Sequence, residues 1–155
     1  MKSARCVAAL LLAALPACGL HAQTPRLELE VRLDPDSRAL HAVAQFENPG
    51  GDGFALHRSL EVHGASVAGA AVGAERNGRR GESNLWRIRA PKGARVRVEY
   101  GGTLAELDRA LDARGVLGAK PPMASPQGSY LPASGDWYPA PAALFTYRVS
   151  LSLPA

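Results

Sequence analysis

Leu27-Glu28-Leu29-Glu30-Val31-Arg32-Leu33-Asp34-Pro35-Asp36-Ser37 is the stretch that decides the fold class. Leu27, Leu29, Val31 and Leu33 alternate with Glu28, Glu30 and Arg32, a period of two that puts an apolar row and a charged row on opposite sides of an extended chain. The turn follows by mechanism: Pro35 fixes φ, and the short side chains of Asp34 and Asp36 bond local amides. Residues 39–46 return alongside, with an alternation that alanine dilutes. Asn48-Pro49-Gly50-Gly51-Asp52-Gly53 ends the return strand. The pair reads as a β-hairpin.

The pattern continues outward from that hairpin. Residues 54–67 are apolar at Phe54, Leu56, Leu60 and Val62 and read as two short strands. Residues 68–83 are rich in Gly, Ala and Arg with little bulk, and are expected to form a turn and an exposed loop. Leu85-Trp86-Arg87-Ile88 resumes extended structure, Pro91-Lys92-Gly93 turns, and Val96, Val98 and Tyr100 alternate with Arg95, Arg97 and Glu99. Gly101-Gly102 is expected to break that strand and lead to one short helix. There Thr103 and Glu106 have capping-box spacing, Leu104, Leu107 and Leu111 share a face, and Gly115 suits the C′ position. Residues 115–143 form a long loop dominated by Pro, Gly, Ala and Ser, with Tyr130, Leu131, Trp137 and Tyr138 spaced to anchor it. A last strand sets Phe145, Tyr147, Val149, Leu151 and Leu153 on one face. Many short strands and a single helix predict a mostly β fold, an antiparallel β-sandwich or saddle-like sheet.

Residues 1–22 fit a secretory signal peptide, leaving residues 23–155 as one β-domain. Lys2 and Arg5 make a basic start, residues 7–15 are apolar but too short to span a bilayer, and Leu20-His21-Ala22 offers a small-residue cleavage site. Leu15-Pro16-Ala17-Cys18 resembles a lipoprotein box, which would instead tether the chain to a membrane through a lipidated Cys18. Either route implies a periplasmic or secreted protein. Cleavage after Ala22 removes Cys6 and Cys18, so the remainder holds itself together without disulfides. Loss of Lys2 and Arg5 reduces 18 basic residues to 16 against 14 acidic ones, a net of +2. That balance does not argue for nucleic acid.

No stretch carries a complete catalytic constellation. His41, His57 and His63 survive cleavage; His57 and His63, six apart, would share a side if their strand were continuous. The chain has no H-E-x-x-H, H-x-H or Cys pair, so no metal ligand is assigned. Gly64-Ala65-Ser66-Val67-Ala68 lacks the closing glycine of a nucleophile elbow, and no glycine run has the Gly-Lys-Ser/Thr ending of a phosphate loop. Glu28 with Glu30, and Asp34 with Asp36, read as a wet strand face and a turn. Arg76, Arg79, Arg80, Arg87, Arg89, Lys92, Arg95 and Arg97 have only Trp86 among them, too few rings for a nucleic-acid platform. No catalytic, cofactor-binding or metal residue is therefore expected.

Four blocks, in order, resemble the N-terminal β-domain of aminopeptidase N-like zinc metallopeptidases, the gluzincin family that includes leukotriene hydrolase. Residues 27–35 look like the family's first strand and L-D-P turn, and residues 54–62 are similar to its L…L.V segment. Val96-Arg97-Val98-Glu99-Tyr100-Gly101-Gly102-Thr103-Leu104 resembles its V.Y.G.L strand end. Gly128-Ser129-Tyr130-Leu131, Trp137-Tyr138-Pro139 and residues 145–154 resemble the proline-aromatic loop and the strand leading to the catalytic domain. The resemblance spans nearly all of residues 23–155. It implies a non-catalytic scaffold that flanks the active-site cleft, with zinc held by a catalytic domain normally continuous with the chain. The family's zinc ligands have no counterpart here. Gln127 lies near where family members hold a substrate amino terminus, but without the motif, and is not assigned. Trp137-Tyr138-Pro139-Ala140-Pro141 replaces Pro-Cys-x-Asp-x-Pro, a departure that suits remote bacterial relatives.

On this reading the chain is cut off before its zinc domain and alone hydrolyses nothing. The alternative is a stand-alone periplasmic β-sandwich that binds a protein or ligand through residues 115–143. Export is checked by the intact mass of the product recovered outside the cytoplasm. Processing at the expected site gives a chain starting at Gln23, lipidation one starting at an acylated Cys18, and an unprocessed Met1 contradicts both.

Overall fold

The computed structural model describes residues 26–51, 53–107, 121–141 and 144–154. The expected leader lies outside them. Twelve strands are present among the described residues, in three sheets. The opening hairpin forms as its alternation requires: β1 (Arg26–Asp34) pairs antiparallel with β2 (Ala39–Glu47), Leu29 opposite Ala44 and Leu33 opposite Leu40. Asp34 closes the turn, its Oδ1 accepting the amide of Asp36 at 3.0 Å and its Oδ2 the hydroxyl of Ser37 at 2.5 Å. These bonds, the Ser37 hydroxyl first, hold the Asp34 carboxyl below its ordinary pKa.

Residues 54–67 do divide into two strands, β3 (Phe54–His57) and β4 (Leu60–Val67), which enter different sheets. The turn expected within 68–83 is present at residues 68–69 and the segment is largely exposed, but the expected loop is mostly extended: β5 (Ala70–Val72) pairs with β4, and β6 (Ala74–Arg80) pairs with β7 (Ser83–Ile88). Six of the seven residues of β6 are exposed, so no buried face imposes an alternating pattern. Its ladder bonds, its Arg76/Gly78 bulge and its ion pairs define it.

β8 (Arg95–Thr103) also departs from expectation, because it runs through Gly101 and Gly102. The glycines allow close approach of neighbouring strands. A Cβ on Gly102 would lie 1.9 Å from the Ser59 carbonyl oxygen, and one on Gly101 would lie 2.6 Å from that of Leu40. The expected helix start is corrected accordingly. Thr103 ends β8 and Glu106 lies in β9 (Ala105–Glu106), so they form no capping box. The Leu104 amide donates to the Arg38 carbonyl, continuing the strand connection. Leu111 and Gly115 fall outside the described residues. β9 pairs parallel with β10 (Met123–Ser125), which pairs antiparallel with β11 (Gly128–Tyr130); a 3-10 turn (Ala133–Gly135) follows.

The large sheet has the order β12-β1-β2-β8-β4-β5, where β12 is Thr146–Ser152, and the second has the order β3-β7-β6. One apolar cluster draws on both. Leu27, Leu29, Val31, Leu40, Phe46, Val98 and Tyr100 come from the large sheet, and Phe54, Leu56, Trp86 and Ile88 from the second. Phe46 and Phe54 meet edge to face, centroids 5.5 Å apart. Buried Asn48 ties the end of β2 to the turn between β7 and β8, its Nδ2 donating to Ala90 O at 2.7 Å while Asn48 N donates to Ala94 O at 2.8 Å. The mostly β expectation stands.

The close approach at β8 sets a test. Gly102→Ala should cost about 2–3 kcal/mol through overpacking against a backbone that cannot retreat. Gly64→Ala, where nothing lies within 4 Å of the new Cβ, should stay within about 0.5 kcal/mol. Urea unfolding midpoints compare the two.

Candidate functional site

β12 is an edge strand, and unlike the other strands of its sheet it is held in parallel register. Tyr147 lies beside Leu27, Val149 beside Leu29, and Leu151 beside Val31. Side chains paired this way point to the same face, so the apolar row of β12 extends the core face of β1. The burial then breaks. Leu27, Leu29 and Val31 are 1–2% exposed, whereas Tyr147, Val149 and Leu151 are 71%, 45% and 55% exposed. Leu144 and Leu153 are bare as well. The one-faced pattern expected for this strand is present, but among the described residues it is left largely uncovered.

A loop bounds this strip. Trp137 packs edge to face on Tyr138 (4.9 Å), Tyr138 on Phe145 (6.1 Å), and Phe145 on Tyr147 (6.4 Å). The four rings run from the loop onto β12. Between them and β1 lies an apolar groove of about 280 Å³, floored by Leu27 and Leu29 and walled by Leu131, Trp137 and Val149. Burial, then Tyr147 and Asp136, pushes the Tyr138 hydroxyl pKa up.

Asp136, next to Trp137, pins the loop to the second sheet. Its carbonyl accepts the His57 amide at 2.7 Å, and its Oδ2 accepts the Ser83 hydroxyl at 2.6 Å, with Arg80 3.7 Å away. Asp136 adopts φ 46°, a left-handed conformation that Asp tolerates better than most residues. The Trp137 and Tyr138 anchors were legible from spacing. Asp136 and Ser83 were not, because their contact joins a loop to a strand 53 residues away in sequence.

The histidines sort differently from the sequence expectation. β3 and β4 belong to different sheets, so His57 and His63 do not share a side. His57 is 7% exposed, and its Nδ1 accepts the Ser59 amide at 3.3 Å and lies 2.8 Å from the Ser59 hydroxyl. With Nδ1 acting as acceptor, the neutral ring carries its proton on Nε2. His63 is exposed and stands 5.9 Å, centroid to centroid, from His41. Gln127 is exposed in the turn between β10 and β11.

The basic residues are largely paired: Arg76 with Glu61 at 2.5 Å, Arg89 with Glu75 and Arg95 with Glu28 at 2.7 Å, and Arg97 with Glu99. Their field is neutralised locally. A catalytic zinc site needs three protein ligands and an open position. Among the described residues no group of three or more His, Cys, Asp or Glu side chains converges. These residues therefore do not fit a catalytic zinc.

His57 gives the fold a pH dependence. Burial first, then Arg58, lowers its pKa below 6.5, against smaller opposing effects of Glu82 and Asp136. A depressed histidine pKa means the unfolded chain takes the proton more readily. Its stabilisation is thus intact above about pH 6.5 and is lost as pH falls toward the folded value. Urea midpoints should decline on acidification from pH 7 to 5, and His57→Gln should flatten that slope.

No protein-family model matches the chain, and no curated protein matches it. Solved structures do match. An M1 zinc metallopeptidase from Deinococcus radiodurans aligns with TM-score 0.54 and 16% identity over 85% of this chain and 32% of its own. A variant of that enzyme bound to a Tyr-Ser-Ala substrate gives 0.54 and 15% over 84% and 32%. An aminopeptidase N family protein from Idiomarina loihiensis gives 0.52 and 11% over 83% and 22%. The chain spans about a third or less of the proteins it matches. At these identities the likeness is one of fold, and the fold is that of a β-rich portion of M1 zinc metallopeptidases.

Proposed function

We propose that this chain is the exported N-terminal β-domain of an M1-type, aminopeptidase N-like zinc metallopeptidase. In that role it is a scaffold that presents β12 and the Trp137–Tyr138 loop to a catalytic domain. The observation that carries the reading is the apolar face of β12. Tyr147, Val149 and Leu151 continue a core row yet stand open to solvent. Covering a Val or Leu side chain stabilises by about 1.5–3 kcal/mol, so a neighbour laid on this strip gains substantially. The shared fold with much longer M1 enzymes supports a catalytic domain as that neighbour. Export rests on the basic, apolar and small-residue order of residues 1–22.

In this arrangement the domain performs no bond-breaking step. Hydrolysis and zinc binding belong to the catalytic domain. The groove beside Leu27 and Leu29 receives apolar side chains from that domain, and the four-ring ladder flanks the cleft. Asp136 holds the rings in place from behind.

The genomic DNA that follows the codon for Ala155 tests the reading. A continuation, in frame or frameshifted, that encodes H-E-x-x-H supports it, and an unrelated gene or terminator defeats it. The surface itself gives a second test. Val149→Lys and Leu151→Lys should reduce self-association and hydrophobic-dye binding of the isolated chain, while stability stays within about 0.5 kcal/mol. A chain already monodisperse and dye-silent without those changes would favour a stand-alone module.

A further inference from the structure

His41 and His63 stand on the polar face of the large sheet, on strands that do not pair with each other. β8 runs between them, and the residue beside His41 in the ladder is Gly101. A Cβ at Gly101 would sit 3.2 Å from His41 Nδ1 and 3.3 Å from His63 Cε1. The two rings therefore reach over the glycine from opposite sides, His41 with Nδ1 and His63 with Cε1, the carbon between its two nitrogens, and their centroids are 5.9 Å apart with planes inclined by 57°. Neither side chain has a hydrogen bond or ion pair among the described residues, and both are exposed.

Two exposed imidazoles this close chelate a divalent transition ion once the His63 ring turns to bring one of the nitrogens flanking Cε1 inward. With metal–nitrogen bonds of about 2 Å, coordinated ring centres fall on the order of 4.5 to 6.5 Å apart as the arrangement goes from cis to trans. The observed 5.9 Å lies within that span. We propose that His41 and His63 bind one borderline divalent cation across Gly101, Cu(II) more tightly than Ni(II) or Zn(II). Water fills the remaining positions. The preference follows the general order of divalent affinities for nitrogen donors. The site lies in a depression of about 640 Å³ that Glu30, Glu99, Arg32 and Arg97 also line, so its fixed charge is balanced. The imidazoles thus supply the selectivity. A bound ion ties β2 to β4 over β8, and because it binds the folded sheet it raises the unfolding temperature.

The test titrates Cu(II) alone into the full chain carrying Cys6→Ser, Cys18→Ser and His21→Ala, which removes the competing side-chain donors among residues 1–25. The expected result is one Cu(II) per chain, an electron paramagnetic resonance signal split by two imidazole nitrogens, and a higher Tm. His41→Gln and His63→Gln should each weaken binding at least tenfold and abolish the Tm rise, with metal-free unfolding unchanged because both positions are exposed. In the same chain without those two changes, substoichiometric Cu(II) should broaden the ring proton resonances of His41 and His63 before those of His57. Binding that survives either substitution, a signal from one imidazole, or no binding above that of the chain carrying both His41→Gln and His63→Gln overturns the site.

Discussion

The parallel pairing of β12 with β1 is the constraint on which the functional reading depends. It fixes Tyr147, Val149 and Leu151 beside Leu27, Leu29 and Val31, so a row that is buried on one strand is repeated on the next. A slip of one residue would turn Arg148 and Ser150 to that face and remove the strip. The register thus converts an ordinary alternating strand into an apolar margin wider than the cover above it. An edge strand of this kind is a template for association unless something is laid over it.

The second sheet and the loop explain why the margin has the shape it does. Phe54, Leu56, Trp86 and Ile88 of the second sheet share one buried cluster with the large sheet, Phe54 meeting Phe46 of β2. Past β1 the cover consists of Trp137, Tyr138 and Phe145, whose contacts leave a groove above Leu27 and Leu29. Asp136 reaches back to Ser83 and the His57 amide, so the Trp137 end of the ring row is anchored to the second sheet while its Tyr147 end lies on β12. The groove is therefore built by the fold, while the outer half of the strip stands open to solvent.

The opening hairpin was legible in the sequence because one buried face imposes alternation and Asp34-Pro35 supplies a turn with its own hydrogen bonds. β6 was not legible, since a strand wet on both faces carries no period. Gly101 and Gly102 read as breakers, yet they serve close packing against Leu40 and Ser59, a role visible only once β2 and β4 flank β8. Thr103 and Glu106 matched a cap by spacing alone, but strand pairing overrode that local preference. For β12 the face was legible and its exposure was not, because periodicity says which residues share a side but not what lies on it. The approach of His41 to His63 depends on strand order, which no local pattern encodes.

Hydroxyl-radical footprinting of the isolated chain, diluted until self-association is reversed, tests the central claim most directly. The account predicts strong oxidation of Tyr147, Leu151 and Leu153 and protection of Leu27, Leu29 and Val31, which share the same sheet face. Equal protection of both rows would mean that the chain covers β12 by itself, and would contradict the account.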